Sequence, residues 1–496
     1  MRQRKYCTYI IFIISVFIFF MSSPVSYAAI YYIDYSTGND SNNGLTKTAP
    51  WMRCPGMVGF SGNYTHQAGD IFIFKGGVTW PSSTLPLTIS YSGSAVSCDL
   101  ASSISTCDQY TVDYNWYSGS AWSRPVFDGA RVQEGIYAYE KSYYIVDNIK
   151  IVNNGTPSDS KSGLVVTRPH FVEIKNLYIE SGTKLCMNIA DGASDNKSTI
   201  RIHDSTLKNC FKQLFFNGER TTGTIDDLQI YNMNFAGNNV LVGGESHSNI
   251  IHIKGFGPPT RSGYSFTNLK IYNNKVSGNY PYGATAWIFV EEAVDGALIY
   301  NNVLGFDNTT DAMSGYMGTG IMVEQGINIK VYNNTISSAG NSNSGKGFSS
   351  GIAFTQGANN YDIKNNIIYK TYIGIVMATG CTSCTSDHNL IYLRPGGIYG
   401  QDSTGKQYST WSGWQGAGHD YNGINSDPKF TNITASPFNL KLRLDSPAIK
   451  TGYNFRILYQ YDALGEARPD AMTWDLGAYQ RSNTSLTAPR NIRLGN

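Results

Sequence analysis

Leu269-Lys-Ile-Tyr-Asn-Asn-Lys-Val276 is the stretch that decides the fold, because versions of it return at a near-constant interval along the chain. Further copies stand at 146–151, 174–179, 202–207, 230–235, 299–304, 331–336 and 363–368, with a degraded one around His388. A marker two residues after the first aliphatic gives Asn148, Asn176, Asp204, Asn232, Asn273, Asn301, Asn333, Asn365 and His388. Successive markers lie 28, 28, 28, 41, 28, 32, 32 and 23 residues apart. Self-similarity at such a period is the mark of a solenoid, in which each unit buries its apolar side only against its neighbours. Branched aliphatics alternate around an amide-rich corner with no helical period, so the repeating element is a short strand. Strands that share a register in successive units run parallel, and a unit of about 28 residues holds three short strands and three turns. The expected fold is all-β: a right-handed parallel β-helix with a cap at each end. The marker is Asn or Asp in eight of nine copies. That suits a corner with left-handed backbone, whose side chain bonds its own backbone or the amide stacked above it.

Working outward, Arg2, Arg4 and Lys5 precede an apolar run over 9–21, and Ser26-Tyr27-Ala28 offers small residues for cleavage after Ala28. This reads as a secretory signal peptide, 1–28, and places the mature protein outside the cytoplasm or in the periplasm. No later stretch is long enough to cross a bilayer. The formal charge of +2 loses three cations with the leader, 2 − 3 = −1. A near-neutral chain gives no electrostatic case for nucleic acid. With 51 Gly, 35 Tyr and 15% charged residues, the composition is that of a turn-rich β protein. The expected layout is an N-terminal cap with the first coils over 29–125, repeats over 126–400, a C-terminal capping segment over 401–480 and a polar linker over 481–496, in a single-chain monomer.

Cys7 leaves with the leader, and seven thiols remain. Cys98 with Cys107, and Cys381 with Cys384, read as local disulfides of an exported protein. Cys186 and Cys210 are expected to stack in reduced form, and Cys54 has no evident partner. Asp34, Asp40 and Asn42 lie on Gly-flanked turns, where either calcium binding or simple Asx turns would account for them.

The step from Asn232 to Asn273 carries 13 residues more than its neighbours, and an insertion in a solenoid is the first place to seek function. It holds Gly243-Gly-Glu245-Ser-His247-Ser-Asn249-Ile-Ile-His252-Ile-Lys254, and then Arg261. Alternation puts Ile251 and Ile253 inward and His252 and Lys254 outward. On the next coil it puts Trp287, Phe289 and Glu291 outward, and on the one after it Met322 and Glu324. Matching inward residues predicts outward columns Lys254, Glu291, Glu324 and His252, Phe289, Met322, with members about 4.8 Å apart. Such a face suits a saccharide, with Trp287, Phe289 and Arg261 as substrate contacts. On a uronic-acid polymer the natural reaction is β-elimination. Lys254 or His252 would be the base, and a Tyr or His247 the acid. Calcium on Glu291, Glu324 and Asn249, or nearby donors, would neutralise the carboxylate.

The segment Tyr-Tyr-Ile-Asp34 through Pro50-Trp51 resembles the opening segment of secreted β-helix proteins of the pectate-lyase-like superfamily, including some polysaccharide lyases, where it caps the first coil. From Asp427 onward, Ser446-Pro447-Ala448-Ile449, Asp462, Arg468-Pro469 and Asp475-Leu-Gly477-Ala-Tyr479 resemble the closing segment of secreted bacterial β-helix proteins and are expected to cap the far end. Asn249-Ile-Ile-His252-Ile-Lys254 is similar in spacing to the Glu-Ile-Ile-x-x-Lys strand of the chondroitinase-B and alginate lyase family. There the lysine is the base and the glutamate helps to bind calcium. The resemblance implies a base role for Lys254; Asn249 stands where the family has its acid, and no family arginine is evident on the next coil. The stretch from His247 to His252 is similar to a His-Ser-Asp-Gly-Ile-His motif of secreted β-helix proteins, with Asn249 and Ile250 in place of the aspartate and glycine. The leading expectation is a polysaccharide lyase. A non-catalytic glycan-binding or structural surface solenoid, and a glycoside hydrolase, are the alternatives.

Overall fold

In a computed structural model of the chain, the described residues are 28–94, 106–159, 161–190, 199–218, 223–237, 248–255, 264–278, 285–305, 318–338, 349–433, 438–470 and 473–481. They form three long parallel sheets of 13, 12 and 11 strands, with two antiparallel exceptions near the C-terminus. Each coil visits them in the same order. In one coil, Ser142–Asp147 belongs to the first sheet, Lys150–Val152 to the second and Leu164–Thr167 to the third. The chain is a right-handed parallel β-helix, the hand that crossover connections between parallel strands adopt.

The repeat is visible atom by atom. Ile174 pairs in register with Ile202, Ile202 with Ile230, Ile230 with Ile271, and so on through Ile299 and Val331 to Ile363. All of these are fully buried. Each such side chain stabilises the stack by about 1.5–3 kcal/mol, which lets the core lengthen coil by coil. Every marker residue takes the left-handed conformation, from Asn333 at φ 49° to Asn148 at φ 65°, His388 included at 56°.

The continuous amide ladder, however, is built by the following residue. Asn274 donates to Asn302, Asn302 to Asn334, Asn334 to Asn366 and Asn366 to Asn389, at 2.9–3.0 Å, entirely inside the helix. Each amide also donates to a backbone carbonyl, as Asn334 does to Ile299 at 2.9 Å. The run ends on Asp420, an acceptor-only carboxylate that takes Asn389, Ser386 and the Trp414 indole. In the earlier coils the same position is Ile149, Leu177, Ser205 and Met233.

The two ends differ from expectation in one respect. At the start, Trp51 is buried, stacks on Tyr31 at 4.6 Å and joins the core with Ile33 and Phe72. The oxygens of Asp34 are taken by Ser36, Thr37 and Lys75, and those of Asp40 by Arg53, so these residues are turn and ion-pair anchors. At the far end the cover is the helix Trp411–Gly416, which puts Trp414 against Gly400 of the last coil. The segment from Asp427 onward folds back along the outside instead. Phe430, Phe438, Leu440 and Leu476 pack with Val303, Ile367 and Leu390, while Phe455, Tyr459 and Trp474 pack with Tyr300 and Tyr332. Marker asparagines receive it. Asn301 donates to the carbonyl of Tyr461, Asn333 to those of Asp475 and Gly477, and Asn365 to that of Tyr453.

Cys186 and Cys210 are joined in a disulfide, Cα–Cα 5.6 Å, rather than stacked as thiols. The reason is geometric: Cys210 sits in the turn that leads into the third-sheet strand Lys212–Asn217, whose neighbour one coil earlier, Leu185–Ala190, carries Cys186. Cys381 and Cys384 are bonded, Cys54 is free and buried, and Cys107 is disulfide-bonded, with Cys98 outside the described residues.

Candidate functional site

The third sheet carries the predicted face. Strand Ile251–Lys254 pairs with Ala286–Glu291, setting His252 beside Phe289 and Lys254 beside Glu291. The next pairing sets Phe289 beside Met322 and Glu291 beside Glu324, and Thr355 follows Glu324. One coil before, Phe215 neighbours His252 and Asn217 neighbours Lys254. These columns follow from the inward aliphatics Ile251, Ile288 and Ile321, which fix the register from inside.

Two of the expected contacts are not on the surface. Trp287 has no solvent exposure and belongs to the core. It precedes the first inward aliphatic of its strand, a column occupied elsewhere by Gly135, Gly163, Gly320, Gly351 and Gly374. A Cβ on Gly320 would meet Ile336 at 2.7 Å, and one on Gly351 would meet Ile368 at 2.5 Å, both core residues of the second sheet. The chain is still turning the corner there, so two successive residues point inward and strict alternation fails. Phe289 does lie in the outward column, but at 1% exposure it is a packing face for His252 and offers no open surface. His247 and Arg261 lie outside the described residues.

His252 is buried between Phe215 and Phe289, with ring centroids 4.8 and 4.9 Å away. Its Nε2 donates to Glu291 Oε2 at 2.7 Å, while Nδ1 faces the Asn249 side-chain amide at 3.4 Å. Burial pushes the imidazole down to about 4, helped by Lys212 and Lys254, so it is neutral at physiological pH. Both nitrogens are engaged, which makes His252 a positioning group for Glu291 rather than a free base. Asn249, fully buried, uses its Oδ1 to accept from the backbone of Ala286 at 2.9 Å; it ties two coils together.

Glu291 bridges the cluster, with Oε1 at 3.2 Å from Lys254 Nζ. Burial opposes its ionisation, but the His252 hydrogen bond and Lys254 hold the carboxyl down to about 2. Glu324 shifts the other way, raised by burial and by the charge of Glu291. The Lys254 side chain keeps 38% of its exposure and Glu291 17%, so the cluster opens to solvent at the amine.

The set is poorly suited to calcium. Both Glu291 oxygens are already committed to nitrogen donors, and Asn249 gives its oxygen to the backbone. Among the described residues no three His, Cys, Asp or Glu side chains converge as a metal ion requires. Sequence reasoning missed Lys212, whose Nζ lies 4.5 Å over the Phe215 ring and which acts on His252. Its signal was its place on the preceding coil's strand, three residues before Phe215, which is the register partner of His252.

No family model matches the chain, and no curated protein matches it. Among solved structures it is similar to pectate lyase Pel9A, at 14% identity over 92% of this chain and 98% of that one, TM-score 0.48. It is similar to the GH136 lacto-N-biosidase from Eubacterium ramulus, at 12% identity over 76% and 66%, TM-score 0.42. A third likeness is to an alginate lyase from Paenibacillus sp., at 15% identity over 68% and 92%, TM-score 0.37. At such values no residue role is carried across. Among the described residues no helix is long and apolar enough to span a membrane.

Proposed function

We propose that the protein is exported and cleaves an extracellular uronic-acid polysaccharide by β-elimination on the outer face of the third sheet. The observation that supports this most directly is the pair Glu291 and Glu324, register neighbours whose carboxyls are shifted in opposite directions beside a partly exposed amine. Titratable neighbours pushed apart are how an acid and a base are told from one another. Lys254 Nζ is the base that takes the proton α to the uronate carboxylate. The C–O bond β to that carboxylate then breaks, a C=C bond forms between the two carbons, and Glu324, whose carboxyl burial and the charge of Glu291 shift upward, gives its proton to the departing oxygen. Glu291 holds the amine in place, and His252 holds Glu291. No step runs through calcium.

A second reading, glycoside hydrolysis, draws on the same pair of carboxylates, with Glu324 as acid and Glu291 as its partner. Incubation with pectate, alginate and glycosaminoglycans, with and without calcium, separates the readings. Absorbance of unsaturated uronide is expected from the wild type, and Lys254→Ala or Glu324→Gln should lower its rate by about 100-fold or more. New reducing ends without that chromophore would point to hydrolysis. Glycan retention without either product would reduce the face to a binding surface.

A further inference from the structure

Near the start of the first sheet, a backbone nitrogen meets a buried carboxylate. Asp70 has no solvent exposure. Its Oδ1 accepts from the backbone nitrogen of Ala29 at 2.8 Å, and its Oδ2 from the Tyr64 hydroxyl at 2.8 Å and the Gln67 N–H at 2.9 Å. In the unprocessed chain all three donors are neutral. The imidazole of the same cluster, His66, is bound to Asp108 at 2.8 Å, and Asp108 takes the Gly69 N–H on its other oxygen at 2.9 Å. Asp70 therefore has no cation of its own among the described residues, although a buried carboxylate is normally paired with one. Ala29 itself is held in place, since its carbonyl accepts from Ile71 at 2.9 Å as the strand Ile30–Ile33 pairs with Ile71–Gly76.

Ala29 is also the residue that cleavage after Ala28 would make the chain terminus, and this inference rests on that reading of the leader. We propose that removal of residues 1–28 places the α-ammonium of Ala29 on Asp70, completing the buried site and fastening the first strand to the helix. Water hydrolyses the Ala28–Ala29 peptide bond; the carboxylate leaves with Ala28, and the freed amine takes up a proton where it stands. The nitrogen is already at hydrogen-bond distance, so a neutral contact becomes a charge-assisted one without rearrangement. Processing would then be read out by the fold, the mature coil being tighter than its precursor.

The test compares the chain 29–496 bearing a free Ala29 amine with the same chain acetylated at that amine, each in the wild type and in Asp70→Asn. The free form should melt higher than the acetylated form by about 2 °C or more in the wild type, and the gap should close in Asp70→Asn. The Ala29 amine should also react more slowly with an acylating reagent in the wild type than in Asp70→Asn, a readout that survives if the variant is merely less stable. Equal melting of the two wild-type forms, or an undiminished gap in Asp70→Asn, would overturn the pairing. The mass of the exported protein reads the leader separately: a terminus other than Ala29 would end the processing reading even where the engineered terminus binds Asp70.

Discussion

Two histidines on different sheets carry opposite pH signatures. His252 is buried and neutral, its titration pushed down to about 4, so its contribution to stability is present above the ordinary imidazole range and is lost as pH falls through 4. Between pH 6.5 and 4 this amounts to about 3 kcal/mol. His203 lies between Glu173 and Asp204, with Nε2–Oε1 3.0 Å and Nδ1–Oδ2 2.6 Å. Burial works against its charge, but the two carboxylates win and raise it. Its contribution is complete below pH 6.5 and disappears as pH rises through the raised value. Urea unfolding at pH 7 and pH 4.5 should therefore show a smaller acid loss in His252→Phe, whose ring continues the Phe215–Phe289 stack, than in the wild type. An unchanged acid loss would mean that the imidazole is charged in the fold. In His203→Gln the loss on going from pH 6 to pH 8.5 should shrink, while the acid limb stays as it is.

At the scale of the strand, the informative position is the corner where the third sheet begins. Gly320, Gly351 and Gly374 point their missing side chains at Ile336, Ile368 and Ile391, and Trp287 fills the same column from within the core. A methyl group at Gly351 would press on Ile368 at 2.5 Å and on the carbonyl of Gly374 at 2.9 Å. Gly351→Ala should thus destabilise by about 1–3 kcal/mol, measured by thermal or urea unfolding, through overpacking rather than lost glycine geometry. A neutral result would show that the corner can open. The same corner explains why the columns of the candidate site were legible while the orientation of Trp287 was not. Register follows from period-2 matching of aliphatics within each strand, whereas a bend breaks that period where the strand starts.

For the whole molecule, the returning C-terminal segment is a brace across the junction of the first and second sheets. Arg468 anchors it, buried at 2% exposure, with donations to the Asn301 side chain at 2.9 Å and to the Gly477 carbonyl at 3.0 Å. Asn301, Asn333 and Asn365 can receive the brace because their left-handed corners turn their amides outward. Arg468→Ala should cost about 2–4 kcal/mol by stranding those acceptors. Limited proteolysis should then cut first within 453–480, while far-UV circular dichroism of the coils is retained. Cleavage that begins in the repeats instead would show that the brace is not a separate layer.

The amino-acid sequence by itself determined the solenoid, its coil length, its parallel strands and its left-handed corners, because each coil repeats one local instruction and buries itself only against its neighbours. It also placed Lys254, Glu291 and Glu324 in one column, since that requires nothing beyond the register. Only the tertiary structure decided that His252 and Phe289 are covered, that Trp287 turns into the core, that Cys186 meets Cys210, and that the tail runs back along the side rather than over the end. Each of these depends on how corners bend and on which distant segment packs over a face, and the free energy of such contacts is set by neighbours in space that a pattern read along one strand does not contain.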